Sequence, residues 1–563
     1  MPESAALRAA LDAATDDRIF FDLSGIEAQY AALLRQLPGI AVRFAMKACP
    51  VDEVLGALAR QGAGFDAASP REIEQALATG VPAERIHYGN TIKSDENIAD
   101  AYRLGIRDFA TDSIEDVTAI AQHAPGSRVF CRLATSGEGA LWGLSQKFGC
   151  SADDAVRVLE AARDAGLTPA GLSVHVGSQQ MTSEAWRGAL DDLVDLVAVL
   201  GGRGILLDHI NLGGGLPALG CLDKRGRPLE PPLDKMFAVL REGMQRLREE
   251  SASPLAFLME PGRHLVADHG AIRARVSRLS TRRQRDGERQ NWLYLSCGKF
   301  NGLYEMDELQ YRLEFPGHAE DRQVPAVVAG PTCDSDDAYD HESGRVQVPA
   351  GAASGDPVWI HSCGAYAVGY TTQGFNGFDP LPYTCIGGAE RMPPSNTGLL
   401  PDTDVVVRPL AERDWDAIVA LEADAYTEDG LSEGRDALKS RHFDGTCFVL
   451  EESGRVGGYL LALPYPPFSS PDLSRAEGSG HPSPNLHAHD LVIAEDLRGR
   501  GLGPRLLTHL RETARELGYE QISLVAVRGA HVLWAQLGYR AHPEVELPES
   551  YGTNAMYMSM EVG

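Results

Sequence analysis

The sequence predicts an α/β fold whose first part, residues 24–265, is a closed (β/α)8 barrel of the TIM type. Three observations lead to this prediction: short apolar runs recur, helical segments separate them, and polar side chains follow the runs. The eight runs that we assign to strands are 40–47, 62–68, 85–90, 107–113, 128–134, 171–178, 208–215 and 255–263.

The segments between these runs include five with the apolar spacing of amphipathic helices. They are 51–61, 69–80, 94–105, 153–166 and 185–202. Strands that alternate with helices favour parallel pairing, and eight such units are enough to close a barrel.

The carboxyl ends of the strands form the active site in this kind of barrel, and here they carry polar residues. Lys47 ends the first run, in "RFAMKACP". The other ends hold Asp66, His87, Asp112, Arg132, His175, Gly213, Gly214, Gly215 and the segment from Glu260 to Arg263. A single lysine at such a place usually reaches solvent, but polar residues at all eight ends indicate a catalytic site.

The residue types at these ends favour pyridoxal phosphate (PLP) as cofactor. A neutral lysine such as Lys47 forms an imine with an aldehyde. The glycines of "NLGGGLP" (211–217) and Arg263 of "EPGR" suit a phosphate group. Glu260 can keep a pyridine nitrogen protonated so that the ring accepts electrons, and His175 can stack on the ring face.

Residues 20–390 resemble the fold-type III PLP-dependent decarboxylases of ornithine, lysine, arginine and diaminopimelate. The motifs that carry this resemblance are "FAMKACP", "FDAASPREIEQAL", "KFGC", "HVGSQ", "NLGGGLP", "EPGR", "GPTCDSDD" and "GAYAVGY". The resemblance implies that Lys47 forms the Schiff base, that His175 stacks on the ring and that Glu260 pairs with its nitrogen. It places these further residues around the cofactor: Asp66, Arg132, Ser178, Gly213, Gly214, Gly215, Gly262, Arg263 and Tyr366.

The same resemblance implies a β-barrel or sandwich domain built from residues 1–23 and 266–386. Alternating apolar runs at 271–283, 291–298, 324–330 and 356–366 predict strands there independently. The family works as head-to-tail homodimers with shared sites, in which the "CDSDD" segment of one subunit completes the site of the other. Cys333 would then be the general acid that reprotonates Cα, and Asp334 would meet the distal end of the substrate.

The substrate is expected to be a cationic amino acid and the product a diamine. Asp334 suits a distal ammonium group better than the distal carboxylate of diaminopimelate, and it favours ornithine or lysine. One methylene changes binding by only about 1–3 kcal/mol, so the sequence leaves these two open, with a preference for ornithine. A racemase of this fold would carry an arginine in place of Glu260.

The composition excludes several classes of protein. The net charge is −27, which disfavours nucleic acid and anionic membranes as partners. We expect no membrane span and no secretory signal, because no apolar run is long enough and the N-terminus has no basic start. The nine cysteines form no CxxC pair, which argues against a metal site and for a cytoplasmic protein with reduced thiols.

Residues 387–404 are rich in Gly, Pro, Ser, Asn and Asp and predict a linker, after which a second α/β domain covers 405–563. Its strand, "RGRGLG" turn and helix (489–518) suit a pyrophosphate bound at a helix N-terminus. A plain capping loop or a dinucleotide fold are the alternatives. The domain resembles the GNAT acetyltransferases, which implies acetyl-CoA bound by the backbone of Val492, Arg498, Gly499, Arg500, Gly501, Leu502 and Gly503.

Acetyl transfer to an amine requires a proton acceptor and an acid for the departing thiolate. Trp534 stands near the position of the family's usual tyrosine acid, which leaves Tyr539 and Tyr557 as possible acids. The possible bases lie on or beside one strand: His487, His489 and Asp490.

The sequence therefore predicts a bifunctional enzyme that decarboxylates ornithine or lysine and then acetylates the resulting putrescine or cadaverine, a step of use in siderophore or polyamine pathways. The alternative is a decarboxylase of arginine or diaminopimelate whose acetyltransferase domain acts on an unrelated amine or serves as a regulator. A non-catalytic regulator that only resembles decarboxylases would lack the intact set of Lys47, Glu260, Arg263 and Cys333.

Overall fold

The computed structural model describes most of the chain: residues 4–143, 147–285, 287–339, 344–387, 405–426, 431–452, 454–476, 482–494, 497, 502–527, 534, 539–552 and 555–562. These residues belong to two compact units, Met1–Pro393 and Pro394–Gly563. Most of the linker predicted at 387–404 lies outside the described residues. Within the described part of the chain, every helix is too short or too polar to cross a bilayer.

The first unit contains eighteen described strands. They are β1 (Arg18–Asp22), β2 (Ile40–Ala45), β3 (Gly64–Ala67), β4 (Ile86–Tyr88), β5 (Asp108–Thr111), β6 (Arg128–Arg132), β7 (Ala140–Trp142), β8 (Thr168–Ser173), β9 (Ser178–Gln180), β10 (His209–Asn211), β11 (Ala256–Met259), β12 (Gly270–Arg283), β13 (Arg289–Leu295), β14 (Arg312–Glu314), β15 (Gln323–Ala329), β16 (Arg345–Pro349), β17 (Pro357–His361) and β18 (Tyr383–Ile386).

Eight of these strands close a parallel barrel in the order β10-β11-β2-β3-β4-β5-β6-β8, which confirms the predicted fold class. The strands end earlier than the apolar runs predicted. The run 40–47, for example, leaves the strand at Ala45 and continues as a 3₁₀ turn, Met46–Ala48. The run 171–178 stops pairing after Ser173, and Ser178 begins β9, which pairs with β7 outside the barrel. Lys47, His175 and Glu260 therefore lie on the turns just beyond their strands. Asp66, His87 and Arg132 still belong to β3, β4 and β6.

Most helices of the first unit follow a strand of the barrel in the chain, and α1 and α2 come before the barrel begins. They are α1 (Ala5–Ala13), α2 (Leu23–Gln36), α3 (Asp52–Arg60), α4 (Pro70–Ala78), α5 (Asp95–Arg103), α6 (Ile114–His123), α7 (Ala152–Asp164), α8 (Glu184–Gly202), α9 (Leu233–Glu250) and α10 (Arg263–Val266).

Serine caps explain where four consecutive barrel helices begin. In each case the serine hydroxyl accepts a hydrogen bond from the backbone N–H of the third residue of the helix. The serines are Ser69, Ser94, Ser113 and Ser151. At α4 the Glu72 carboxylate also accepts from the N–H of Ala68 at 2.7 Å, close to a capping box. Each short strand–helix turn is thereby held in place, and with it the residue at the strand end.

The β-rich part of the unit forms an eight-stranded sheet with the path β14-β17-β12-β13-β15-β16. The N-terminal strand β1 joins it, antiparallel to β12 and parallel to β18. This agrees with the β-domain predicted from both ends of the region. The buried side chains of the barrel and this sheet form one continuous apolar core.

The second unit is a seven-stranded sheet with helices, as expected for the α/β domain. Its order is β19-β20-β21-β22-β23-β25-β24. The elements are β19 (Val405–Pro409), α11 (Trp415–Tyr426), α12 (Arg435–Ser440), β20 (Phe448–Glu452), β21 (Arg455–Pro464), β22 (Asn485–Ile493), α13 (Leu502–Glu516), β23 (Gln521–Ala526), β24 (Arg540–Ala541) and β25 (Met556–Glu561).

Apolar side chains of α13 fix that helix against the sheet. Leu506, Leu510 and Ala514 are fully buried, at the spacing of one helix face. β22 and β23 are parallel and pair only from Asn485–Gln521 to Ala488–Leu524. Beyond Ala488 the two strands are no longer paired with each other.

Candidate active sites

Lys47 lies on the 3₁₀ turn that follows β2, with its side chain exposed inside a cavity at the carboxyl end of the barrel. Burial of this position alone would lower the pKa of Lys47. The negative charges of Asp66 and Glu260 outweigh that effect, and the net shift is upward. The carboxylates thus favour the charged form of this amine, and the role of Lys47 as the Schiff-base lysine stays a prediction.

The cavity gathers most of the predicted cofactor residues. Its lining includes Lys47, His175, Ser178, Gly214, Gly215, Glu260, Gly262, Arg263 and Tyr366. Each comes from the turn after a strand or from the β-domain, so the barrel topology accounts for their meeting. Tyr366 has a φ of 63°, a strained value for a residue with a side chain, and its N–H donates to the Ala48 carbonyl at 2.7 Å.

Glu260 follows β11 and is held from two sides through the same oxygen. Its Oε1 accepts a hydrogen bond from Asn211 Nδ2 at 2.5 Å and lies 2.9 Å from His87 Nε2. Both contacts use Oε1, so Oε2 is the atom that can receive a ring N–H. A carboxylate fixed in this way matches the requirement for a protonated pyridine nitrogen.

His87 connects Glu260 to Asp66. Its Nε2 lies 3.3 Å from Asp66 Oδ1, and its side chain is almost completely buried. Burial alone would lower the pKa of His87, but the two carboxylates raise it to about 9. The ligand atoms of the three residues lie within 4.8 Å of one another, a spacing that could also hold a metal ion.

Asp66 reaches this cluster only because residue 89 is a glycine. A Cβ at Gly89 would lie 1.8 Å from Asp66 Oδ1. Burial would raise the pKa of Asp66, but His87, Lys47 and Arg132 lower it below its usual value. Asp66 is therefore an anion that faces the lysine.

His175 is a neutral imidazole at the other wall of the cavity. Burial lowers its pKa to about 3, and the cations Lys47 and Arg132 add to that effect. Its Nδ1 accepts from the Gly177 N–H at 3.1 Å, which puts the ring proton on Nε2. The guanidinium of Arg132 lies 5.1 Å from the Phe148 ring, which comes from the "KFGC" motif.

The glycine turn and Arg263 form a cradle that fits a phosphate group. Gly213 has a φ of 66°, and a Cβ there would lie 1.8 Å from the Val174 carbonyl oxygen. Only glycine allows this close approach of backbone to backbone. Ser178 Oγ accepts from Arg263 Nη2 at 3.2 Å, which aligns a hydroxyl and a cation on the same side. Backbone N–H groups, a hydroxyl and a guanidinium are the donors that a phosphate needs.

Glu305 is a residue of this site that the sequence did not predict. It pairs with both Nη atoms of Arg263, at 2.6 and 2.5 Å, and both side chains are buried. Burial would lower the pKa of Arg263, but Glu305 raises it. The guanidinium also lies 4.5 Å from the Trp142 ring and 5.0 Å from the Tyr366 ring. No pattern around Glu305 signals this contact, whereas Asn211, which binds Glu260, stands two residues before the glycine run that begins at Gly213.

Cys333 and Asp334 do not line this cavity among the described residues. Cys333 is exposed, and its N–H donates to Asn376 Oδ1 at 2.7 Å. Asp334 is exposed as well, and its Oδ1 accepts from the Asp336 N–H at 2.9 Å. Their proposed roles in catalysis and substrate binding depend on a second copy of the chain and stay predictions.

In the second unit, part of the predicted acetyl-CoA site can be placed. Val492 is buried near the end of β22, and Leu502 and Gly503 begin α13. Arg498, Gly499, Arg500 and Gly501 lie outside the described residues. The strand that ends at Ile493 and the helix that begins at Leu502 flank the predicted pyrophosphate turn, which stays a prediction.

The candidate acids differ in their surroundings. Tyr539 is buried, its pKa is raised by burial, and its ring meets Trp534 edge-on at 5.4 Å. Tyr557 is stacked beside His487 at 6.3 Å, and its oxygen accepts from the Phe468 N–H at 2.9 Å. Tyr557 is therefore the tyrosine of the two that lies next to a candidate base.

Comparison with known families agrees with this geometry. Residues 23–267 match the model of the pyridoxal-dependent decarboxylases, pyridoxal binding domain, and residues 415–539 match the acetyltransferase (GNAT) family. The lysine/ornithine decarboxylase of Selenomonas ruminantium is 31% identical over 359 residues, which cover 63% of this chain and 86% of that protein.

Two solved structures share the fold of the first unit. The lysine/ornithine decarboxylase of Vibrio vulnificus in complex with putrescine has a TM-score of 0.58 at 27% identity and covers 69% of this chain and 99% of its own. SrLDC in complex with PLP and cadaverine has a TM-score of 0.59 at 27% identity, over 69% of this chain and 94% of its own. PLP is thus the cofactor of the first unit, and the GNAT domain implies acetyl-CoA for the second. The chain belongs to the fold-type III PLP-dependent decarboxylases related to lysine/ornithine decarboxylase, and it carries a GNAT acetyltransferase domain after them.

Proposed function

We propose that this chain decarboxylates ornithine or lysine and that its second domain acetylates one amine of the diamine produced. The observation that carries the proposal is the presence, in one chain, of a site with Lys47, Glu260 and Arg263 in one cavity and a GNAT domain. Relatives of the first unit were solved with putrescine and with cadaverine, the products of these two reactions. Each diamine presents the primary amine that an acetyltransferase needs.

The side chains around the cavity have complementary tasks. Bound PLP supplies the aldehyde that takes the substrate amine and the protonated ring that accepts the electron pair of the broken C–C bond. Glu260 would keep the ring nitrogen charged, while Asn211 and His87 hold one of its carboxylate oxygens. His175 would pack on the ring face without adding a charge, because burial lowers its pKa to about 3.

Phosphate binding and proton transfer use the remaining residues. Arg263, Ser178 and the turn Gly213 to Gly215 would hold the phosphate, with Gly262 and Tyr366 at its edge. Asp66 is the carboxylate that raises the pKa of Lys47 most, and it would share the proton of that amine. Cys333 of a second subunit would return a proton to Cα, and Asp334 would receive the distal ammonium group, within a homodimer in the cytoplasm.

Two domains in one chain favour sequential use of the product. Because the two sites are tethered, the diamine released by the first site would have a raised effective concentration near the second. Acetylation would remove one of its two charges. The first site alone does not decide between ornithine and lysine, because one methylene changes binding by only about 1–3 kcal/mol.

The test is product analysis by mass spectrometry with the full-length chain, PLP and acetyl-CoA. Ornithine, lysine and diaminopimelate are offered in competition, and we expect N-acetylputrescine or N-acetylcadaverine. Lys47→Ala is the matched control: it should produce no diamine, yet still acetylate added putrescine. Free diamine that stays unacetylated would contradict the coupling, and release of lysine from diaminopimelate would contradict the substrate assignment.

A further inference from the structure

The C-terminal unit buries a charged cluster beside its central strand. His489 Nε2 lies 2.6 Å from Glu433 Oε2, and the two side chains are 2% and 3% exposed. The other oxygen of Glu433 accepts from Arg441 Nη2 at 2.6 Å, and Arg441 is fully buried. Burying an imidazole, a carboxylate and a guanidinium costs desolvation free energy. Such clusters are typical of functional sites.

The hydrogen bonds fix the proton on one nitrogen of His489. A carboxylate oxygen only accepts, so Nε2 carries the proton and Nδ1 has the lone pair. Nδ1 is buried and has no hydrogen-bond partner among the described residues. The imidazole is thus held in one orientation by Glu433, and its basic nitrogen is unpartnered among the described residues.

Arg441 keeps Glu433 ionised. Burial would raise the pKa of Glu433, but His489 and Arg441 lower it below its usual value. Arg441 is itself anchored, since its Nη2 also donates to the carbonyls of Asp472 at 2.8 Å and Arg475 at 3.0 Å. The arrangement of base, orienting carboxylate and anchoring cation resembles the supports of histidine bases in many hydrolytic sites.

His489 stands at an irregular point of the sheet. On β22 the pairing with β21 shifts from Leu461–Asp490 to Ala462–Ala488, so His489 is the extra residue of a β-bulge. It is also the first residue past Ala488, where pairing between β22 and β23 ends. Among the described residues, the edge of β22 that faces β23 is therefore unpaired from His489 onward.

The two other candidate bases are less suitable. His487 Nδ1 contacts Ser523 Oγ at 2.9 Å, and burial lowers the pKa of His487 well below its usual value. Asp490 has both oxygens occupied, one by the Tyr426 hydroxyl at 2.9 Å and the other by the Tyr459 hydroxyl. Of the three candidates, His489 is the one with an orienting carboxylate and with a buried basic nitrogen that no described residue hydrogen-bonds.

We propose that His489 is the catalytic base of acetyl transfer in this chain and that Glu433, anchored by Arg441, is its positioning residue. This inference rests on the proposed acetyltransferase function and assigns its proton path. The nitrogen of the free amine attacks the thioester carbonyl carbon, and a C–N bond forms. The attacking nitrogen gives its extra proton to His489 Nδ1. The C–S bond then breaks with its electron pair on sulfur, and the thiolate takes the proton back from His489, which leaves the amide and CoA-SH.

The test measures acetyl transfer by the full-length chain with a panel of primary amines: putrescine, cadaverine, benzylamine and lysine methyl ester. His489→Gln keeps a donor for Glu433 but has no basic nitrogen. We expect it to lower kcat for acetyl transfer about a hundredfold, with KM for acetyl-CoA within about twofold. Decarboxylation in the other unit should not change, and calorimetric binding of CoA shows that the second unit is folded. His487→Gln is the matched control and should lose less than about tenfold.

Glu433→Gln tests the positioning role through the pH profile. Without the carboxylate His489 becomes a weaker base, so the rising limb of kcat should move to lower pH and the plateau should fall about tenfold or more. A purely structural role would lower the plateau without moving the limb. The ionisable groups that face this pair from the neighbouring elements stay in place: Asp490 and His487 on β22, Tyr459 on β21, Glu422 and Tyr426 on α11, and Tyr551.

The outcomes separate the two proposals. If His489→Gln acetylates as fast as the wild type, or if only His487→Gln loses activity, the assignment of the base is wrong while the acetyltransferase function stands. If the wild type ignores both diamines but acetylates another amine of the panel, the proposed acceptor is wrong and the base is still tested on that amine. If no amine is acetylated, both proposals fail.

Discussion

Each unit buries a histidine against a carboxylate, but the surroundings of the two histidines differ. His87 lies between Asp66 and Glu260, at 3.3 and 2.9 Å, and these charges raise its pKa to about 9. His489 meets Glu433 alone, and Arg441 offsets that charge. Two carboxylates thus favour the charged form of His87, whereas the single carboxylate beside His489 is shared with an arginine.

The buried arginine–glutamate pairs show the same contrast. In the C-terminal unit one glutamate, Glu433, serves both the arginine and the histidine. In the first unit the two tasks belong to different residues, because Glu305 pairs with Arg263 while Glu260 meets His87. This separation would place the two carboxylates near different parts of the cofactor, Glu305 near the phosphate and Glu260 near the ring nitrogen.

The largest expected effect comes from breaking the barrel cluster at Glu260. Glu260→Gln removes the anion that keeps the ring nitrogen protonated and also takes one counter-ion from His87. We expect kcat for ornithine and lysine decarboxylation, measured as CO2 release, to fall about 10²–10³-fold. Glu242→Gln, whose side chain is 59% exposed, is the matched control and should have no effect. Acetylation of added putrescine should also be unchanged, and a loss in kcat below threefold would refute the role of Glu260.

The next largest effect is the pH-dependent loss of stability in His87→Leu, which tests whether His87 is protonated in the folded protein. A group whose folded pKa is raised stabilises the protein fully below its unfolded pKa, about 6.5, and loses that contribution as the pH rises through about 9. We therefore expect urea unfolding to show His87→Leu less stable than the wild type by up to about 3 kcal/mol near pH 6, with a smaller gap near pH 9.5. In the variant Asp66 and Glu260 face each other without a cation between them.

His123→Leu is the control for that measurement, because His123 contacts only the surface carboxylate of Asp95, at 3.5 Å. The difference in free energy of unfolding between His123→Leu and the wild type should be small and should not change across the same pH range. A gap for His87→Leu that grows with pH would show that His87 is buried neutral, and the contrast with His489 would then disappear.

The sequence predicted the barrel and most of the cavity lining because strand order gathers those residues. Once eight strands alternate with helices, the turns that carry Lys47, His175 and Glu260 must meet at one end. The contacts of His87 could not be predicted, since they depend on side-chain distances between neighbouring strands. Glu305 lies in irregular turns outside the barrel, forty-two positions from Arg263, and no periodic pattern marks such a residue. The Glu433–His489 contact likewise joins a loop to a strand.

The smallest expected effect is a change in PLP affinity when Glu305 is replaced. It tests whether an external anion can take the place of Glu305 beside Arg263. Glu305→Gln leaves the buried guanidinium without its counter-ion in the apoprotein, while Ser178, Trp142 and Tyr366 still orient it. A phosphate can replace the lost charge, so we expect PLP to bind about tenfold more tightly, a gain of about 1.4 kcal/mol, by equilibrium titration of the apoprotein. Glu308→Gln, at an exposed neighbouring position, should leave the Kd unchanged. Weaker binding would instead show that Glu305 positions Arg263 for the phosphate, as Glu433 positions His489, and the two units would then use their glutamates alike.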